Sequence, residues 1–196
     1  MDSNIAPQVD DALVIVHVQN DFVAGGALAV AGGGEVVAPL NRYIEIFRRN
    51  RLPIIATRDW HPADHCSFRE QGGPWPPHCV QGTAGAQFVP ELMLPPGTTV
   101  VSCAIQSHKE AYSSFEDTEL DQLLKSLGAR RLFIGGLATD YCVGATVKDG
   151  LFLGYRVFLL TDAVRAVNAH PQDGADAREE MIRLGAVPVS LSDLGW

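Results

Sequence analysis

Short and almost wholly apolar runs alternate along the chain with longer segments in which apolar side chains recur at helical spacing. The first run, residues 12–18 (ALVIVHV), is typical of a strand buried on both faces of a sheet. Gly128 stands where a helix over residues 118–127 should end. The pattern predicts strands at 12–18, 53–57, 98–102, 131–135, 156–161 and 186–189, and helices at 36–50, 118–127, about 141–153 and 173–184.

This alternation of strands and helices indicates the fold class. It predicts an α/β protein, a doubly wound sheet of mainly parallel strands with helices on both faces. No internal repeat, low-complexity tract or linker divides the sequence, so we predict a single domain over residues 1–196. Such sheets place their sites at the carboxyl ends of the strands, which makes the polar residues directly after strands the first functional candidates.

Composition and charge exclude several classes of protein. Hydrophobic residues make up 46% of the chain and charged residues 19%, which excludes intrinsic disorder. The formal net charge is −8 and the one basic cluster is Arg48, Arg49 and Arg51, so we expect no nucleic-acid partner. No apolar run approaches the roughly 20 residues that span a bilayer, so we expect no membrane association.

The four cysteines indicate the redox compartment. They are too few for a disulfide scaffold and form no CxxC pair. The first residues are acidic where a secretory signal would be basic. We therefore predict a cytoplasmic protein with free thiols at Cys66, Cys79, Cys103 and Cys142.

Histidines and a carboxylate concentrate after the second predicted strand. Asp59 and His61 stand two apart in an extended segment, His65 follows, and His78 comes next along the chain. One carboxylate with two or three imidazoles suits Zn²⁺, Fe²⁺ or Mn²⁺ with a position left open for water. We predict one divalent metal at this place.

Two further polar features lie at strand ends. Cys142 falls on the first turn of a predicted helix, after a glycine-rich strand exit, where a helix N-terminus stabilises a thiolate. The neighbouring backbone N–H groups can form an oxyanion hole. His17 lies within the first apolar run, where a histidine is more often a satisfied core residue than a functional one.

Five segments in order resemble the nicotinamidase/pyrazinamidase branch of the isochorismatase-like hydrolases, over residues 12–190. They are VHVQNDF, TRDWHPADHCSF, WPPHCVQGT, EAYSSF and GGLATDYCV. The resemblance implies a six-stranded parallel sheet, a small ring-bearing amide as substrate and a homo-oligomeric enzyme.

The resemblance also assigns residues by position. Cys142 matches the nucleophile, and the backbone N–H groups of Ala138 and Cys142 match the oxyanion hole, with a cis peptide at Leu137–Ala138. His65 matches a position that ligates in some members only. The metal ligands correspond to Asp59, His61 and His78, and the aromatic walls of the ring pocket to Phe22, Trp75 and Tyr112.

Two of the three catalytic positions of that family are altered here. An aspartate on the first strand and a lysine after the third normally assist the cysteine. His17 stands at the aspartate's position and Cys103 at the lysine's position. Lys109 is the only lysine nearby, and we place it in a loop and not at the strand exit.

Three hypotheses follow from these replacements. In the first, His17 is the general base for Cys142, and the imidazolium replaces the lost lysine charge. In the second, His17, Cys103 and Cys142 hold a second metal, since His-Cys-Cys is a known zinc ligand set. In the third, the protein is a non-catalytic binding module, or Cys103 and Cys142 form a redox pair.

Overall fold

The computed structural model describes residues 5–195, so the predicted domain limits at residues 1 and 196 lie outside its described part. The strands there are β1 Asp11–Val16, β2 Ile54–Asp59, β3 Thr99–Cys103, β4 Arg131–Leu137, β5 Arg156–Arg165 and β6 Val187–Val189. The α-helices are α1 Val37–Arg49, α2 Leu120–Ser126, α3 Gly144–Phe152 and α4 Asp173–Arg183. Within residues 5–195 the six strands form one sheet in the order β3-β2-β1-β4-β5-β6, with parallel pairs throughout. This confirms the predicted fold class.

Two apolar cores cover the two faces of the sheet. Alternate residues of β1 point to opposite faces, so Leu13 and Ile15 pack in the core that includes α1. Val14 and Val16 pack in the other core, with side chains of α2, α3 and α4. Burial on both faces explains why β1 is continuously apolar.

Most element ends agree with the predictions, and Gly128 does stop α2 with a φ of +71°. The exceptions lie at the carboxyl edge of the sheet. Strand β2 runs on to Asp59, which pairs with Cys103 of β3. The helix predicted at about 141–153 is a π-helical turn, Thr139–Val143, followed by α3.

The end of β1 is shaped by its neighbour β4. A Cβ atom on Gly136 would lie 2.0 Å from the carbonyl oxygen of Val16, so only glycine allows this approach. The predicted cis peptide at Leu137–Ala138 is present directly afterwards. Beyond Val16 the chain leaves the strand, and His17 adopts a left-handed φ of +49°. No helix in the described part of the chain is long and apolar enough to span a bilayer.

Candidate active site and metal centre

The strand order brings the candidate residues to one edge of the sheet. Cys103 ends β3, Asp59 ends β2, His17 follows β1, and Cys142 lies in the turn after β4. All four side chains are buried. Neighbouring parallel strands lie about 4.8 Å apart, so their order decides which of these groups can meet.

Asp59, His61 and His78 form one candidate metal centre. Their ligand atoms lie within 4.8 Å of one another, and all three side chains are buried. His78 Nδ1 donates to the carbonyl of Pro76 at 2.8 Å, which leaves its Nε2 lone pair for a metal. His61 Nε2 lies 3.8 Å from Asp59 Oδ2. Imidazole and carboxylate donors in this number fit a divalent ion.

His65 is close to this group, but its ring nitrogens form hydrogen bonds with other residues. Its ring centroid is 4.3 Å from that of His61. Its Nε2 donates to the carbonyl of Lys109 at 3.0 Å, and its Nδ1 accepts from the backbone and hydroxyl of Ser67. Both ring nitrogens therefore have protein partners, so His65 supports its neighbours and offers no free lone pair to a metal.

Gln19 fixes the backbone of the candidate ligand Asp59. Its Nε2 donates to the carbonyls of Asp59 and Ala86, at 2.8 and 2.9 Å. Its Oε1 accepts from the Asp59 N–H at 2.8 Å. The buried Gln19 amide thus hydrogen-bonds both the carbonyl and the N–H of Asp59 and so fixes the end of β2.

Replacing Gln19 with leucine should weaken metal binding by about 10- to 100-fold, because the Asp59 backbone loses its partners and the carboxylate its orientation. Competition with a chromophoric chelator measures the change. Gln81→Leu is the matched control, since Gln81 makes one such bond, to the carbonyl of Trp60, at an exposed position. Equal losses in both variants would contradict the role given to Gln19.

His17 lies between the metal centre and the cysteine. Its Nδ1 is 3.3 Å from Asp59 Oδ1, yet neither ring nitrogen makes a hydrogen bond within the described residues. Burial lowers the pKa of His17, and the charge of Asp59 offsets part of this shift. Burial would raise the pKa of Asp59, but the surrounding His17, His61 and His78 bring it below its usual range. The carboxylate is thus ionised, and the imidazole is neutral near pH 7.

Cys142 sits in the π-helical turn, and its thiol belongs to a second compact group. The ligand atoms of His17, Asp59 and Cys142 all lie within 4.8 Å of one another. Burial raises the pKa of the Cys142 thiol, and the negative charge of Asp59 raises it further. The resting pair is therefore a thiol beside a neutral imidazole, and a positive charge on His17 arises only after it accepts a proton.

Cys103 is not brought together with His17 and Cys142 in this way. Of the candidate ligand groups in the described chain, neither includes its thiol. Two strands, β2 and β1, separate β3 from β4, so Cys103 faces Asp59 and the hydroxyl of Ser114 instead. All four cysteines are free thiols. Lys109 is exposed and pairs with Asp117, so it supplies no charge to the pocket.

A cavity opens above these groups and is walled by aromatic rings. The three predicted aromatics line it, and Trp75 Nε1 donates to the hydroxyl of Tyr112 at 3.0 Å. Two lining residues with polar side chains were not singled out from the sequence. Tyr141 packs edge-on against Trp75 at 5.1 Å, and its place beside Cys142 was the available signal. The other is Glu110, at the head of the EAYSSF segment, whose pKa burial raises.

Comparisons with known proteins agree with this geometry. The model of the isochorismatase domain matches residues 11–193. Nicotinamidase of Escherichia coli (strain K12) is 41% identical over 203 residues, covering 93% of this chain and 95% of the relative. The crystal structure of pyrazinamidase of Pyrococcus horikoshii in complex with zinc has a TM-score of 0.89 at 47% identity, covering 93% and 99% of the two chains. PnC1 from L. infantum, in complex with nicotinate, has a TM-score of 0.88 at 37% identity, covering 97% and 98%.

Proposed function

This chain belongs to the isochorismatase family, and from that premise we propose that it hydrolyses small ring-bearing carboxamides, with nicotinamide and pyrazinamide as the first substrates to test. The observation that carries the proposal is the grouping of His17, Asp59 and Cys142 below the cavity. A cysteine, a base and a carboxylate beside the base are the parts that covalent amide hydrolysis requires.

Each of the three side chains has its own role in the proposed reaction. Neutral His17 accepts the Cys142 proton as the sulfur attacks, since the thiol is protonated at rest. Asp59, 3.3 Å from His17 Nδ1, then stabilises the imidazolium. In this way a neutral base with a carboxylate beside it takes over the role of the family's aspartate and lysine.

The bonds and protons of the proposed reaction balance with these side chains, the backbone N–H groups and one water molecule. The Cys142 sulfur forms a bond to the amide carbon, and the carbonyl electrons move onto oxygen. The oxyanion is met by the backbone N–H groups of Ala138 and Cys142. The carbon–nitrogen bond then breaks, and His17 gives its proton to the departing ammonia. Water attacks the thioester with His17 as base, the carbon–sulfur bond breaks, and His17 returns a proton to the sulfur, leaving a carboxylic acid.

The residues that would hold the metal for this reaction are Asp59, His61 and His78, and we propose zinc as the ion. A divalent cation bound there supplies a fixed positive charge and Lewis acidity at the floor of the pocket. His61 and His78 line the same cavity as the nucleophile, so that charge acts where the substrate lies.

The cavity walls support a flat ring as the group recognised. Phe22, Trp75, Tyr112 and Tyr141 surround the opening, and the Trp75 indole is fixed by its bond to Tyr112. Aromatic walls select planar substrates through stacking and edge-on contacts. An acyclic amide offers these walls less surface, so we expect it to be a poorer substrate.

Ammonia release tests the proposal. Protein loaded with about one zinc equivalent per chain is assayed with nicotinamide, pyrazinamide and an acyclic ureido compound, and the ring amides should be hydrolysed faster. The activity should disappear in both Cys142→Ala and His17→Ala. Absence of ammonia from every amide, with the metal bound and the protein folded, would show a binding protein on this scaffold and overturn the proposal.

A further inference from the structure

The two carboxylate oxygens of Asp59 face different histidines. Oδ2 lies 3.8 Å from His61 Nε2, on the side of His78. Oδ1 lies 3.3 Å from His17 Nδ1, on the side of Cys142. One carboxylate therefore belongs to two groups of ligand atoms at once, and each group is buried.

The second group contains a buried ring nitrogen without a partner. His17 Nε2 has no hydrogen bond within residues 5–195, and the side chain is 0% exposed. Asp59 Oδ1 makes no hydrogen bond besides its ion pair with His17 Nδ1. Buried polar groups almost always find a partner, so an unpartnered imidazole nitrogen beside a carboxylate and a thiol points to a bound ligand. The atoms concerned are an imidazole nitrogen and a carboxylate oxygen, with a thiol beside them.

We propose that His17, Asp59 and Cys142 form a second metal site for a thiophilic divalent ion such as Zn²⁺, joined to the first site by the Asp59 carboxylate, and that filling it inhibits hydrolysis. Nitrogen, oxygen and sulfur donors together suit zinc. The set differs from the His-Cys-Cys set considered from the sequence, because Asp59 takes the place of Cys103. The inhibitory part rests on the proposed function.

Binding replaces the proton on the thiol. The Cys142 sulfur gives up its proton to solvent and forms a bond to the ion, while a His17 nitrogen and Asp59 Oδ1 donate their lone pairs. The nucleophile and its base are then both engaged as ligands. An enzyme with only the first site filled would be active, and excess metal would switch it off reversibly.

Cobalt(II) titration of the metal-free protein reports the second site without an activity measurement. A thiolate bound to cobalt(II) gives a charge-transfer band in the near ultraviolet, whereas Asp59, His61 and His78 alone give none. We expect about two equivalents to bind per chain, one with the band. Cys142→Ala and His17→Ala should each bind about one equivalent. Cys142→Ala should give no band.

Two variants serve as controls for the ligand set. Cys103→Ala removes the other thiol facing Asp59, and Cys79→Ala removes a buried thiol outside both groups. Both should keep the band. Loss of the band in Cys103→Ala with retention in Cys142→Ala would overturn the assignment. Saturation of the wild-type protein at one equivalent would also overturn it.

Activity measured in the same titration separates this inference from the proposed function. Hydrolysis should be present at about one cobalt(II) equivalent, disappear with the second, and return on partial chelation. Hydrolysis that persists with excess cobalt(II) and no band refutes the second site alone. A band without hydrolysis at any loading refutes the proposed function, and the second metal site stands.

Discussion

Replacing Cys142 with alanine should lower the rate of nicotinamide hydrolysis by about 10⁴-fold or more, because a covalent route without its nucleophile leaves only the residual effect of binding. Asp59, His61 and His78 keep their places, so the first metal should still bind. Steady-state ammonia release and elemental analysis measure the two quantities on the same sample.

The control for this variant is Cys79→Ala. Cys79 is equally a buried thiol, and burial raises its pKa, but it belongs to neither ligand group. Its replacement removes a sulfur of the same burial and should leave the rate within a few-fold of the wild-type value. Turnover that survives in Cys142→Ala would exclude the covalent mechanism and favour hydrolysis without a thioester.

The fold and the candidate metal ligands were predictable for a physical reason. Parallel strands covered on both faces must be apolar throughout, and β1 shows this in its sequence. Functional groups of such sheets lie at the carboxyl ends of strands, so Asp59, His61 and His78 stood out as the polar residues after the second strand. The structure brings the ligand atoms of all three within 4.8 Å of one another.

The neighbour of His17 was not predictable from the pattern of residues. Apolar periodicity predicts strands but not their order. The order β3-β2-β1-β4 brings Asp59 of β2 next to His17 after β1, and it places β2 between Cys103 and His17. The end of β1 at Val16, and the left-handed turn at His17, depend equally on the close approach of Gly136. Glu110 and Tyr141 were missed because side chains from separate segments of the chain meet only in the folded cavity.

The two replacements leave the formal charge of the pocket balanced. An aspartate and a lysine carry opposite charges, whereas His17 and Cys103 are both neutral here, since burial lowers the pKa of the imidazole and raises that of the thiol. Changing one of them alone would therefore change the net charge of a buried site. Substitutions at positions 17 and 103 should therefore have non-additive effects on activity.

The double variant His17→Asp with Cys103→Lys should hydrolyse nicotinamide about 10- to 100-fold faster than either single variant. Because both single variants should also be slower than the wild-type protein, the coupling free energy should be at least about 1.4–2.7 kcal/mol. His17→Asp alone places a carboxylate beside Asp59, and two adjacent carboxylates cannot both ionise without strong repulsion. Cys103→Lys alone buries an ammonium that faces Asp59, the carboxylate that would otherwise stabilise the His17 imidazolium. Together the new charges compensate each other, and aspartate tolerates the left-handed φ of +49° at position 17.

A double-mutant cycle on kcat/KM for nicotinamide measures this coupling, with thermal unfolding of all four proteins to show that each is folded. Both single variants should fall below the wild-type protein, because His17→Asp repels the Asp59 carboxylate, whereas Cys103→Lys gives that carboxylate a cation that competes with the His17 imidazolium. The double variant should also keep part of the cobalt(II) thiolate band proposed for the second metal site. Cys142 remains in this variant, and the aspartate that replaces His17 is a weaker ligand of similar length. Additive effects of the two substitutions would mean that positions 17 and 103 do not share one electrostatic site, and that the cysteine acts with His17 independently of the strand β3 position.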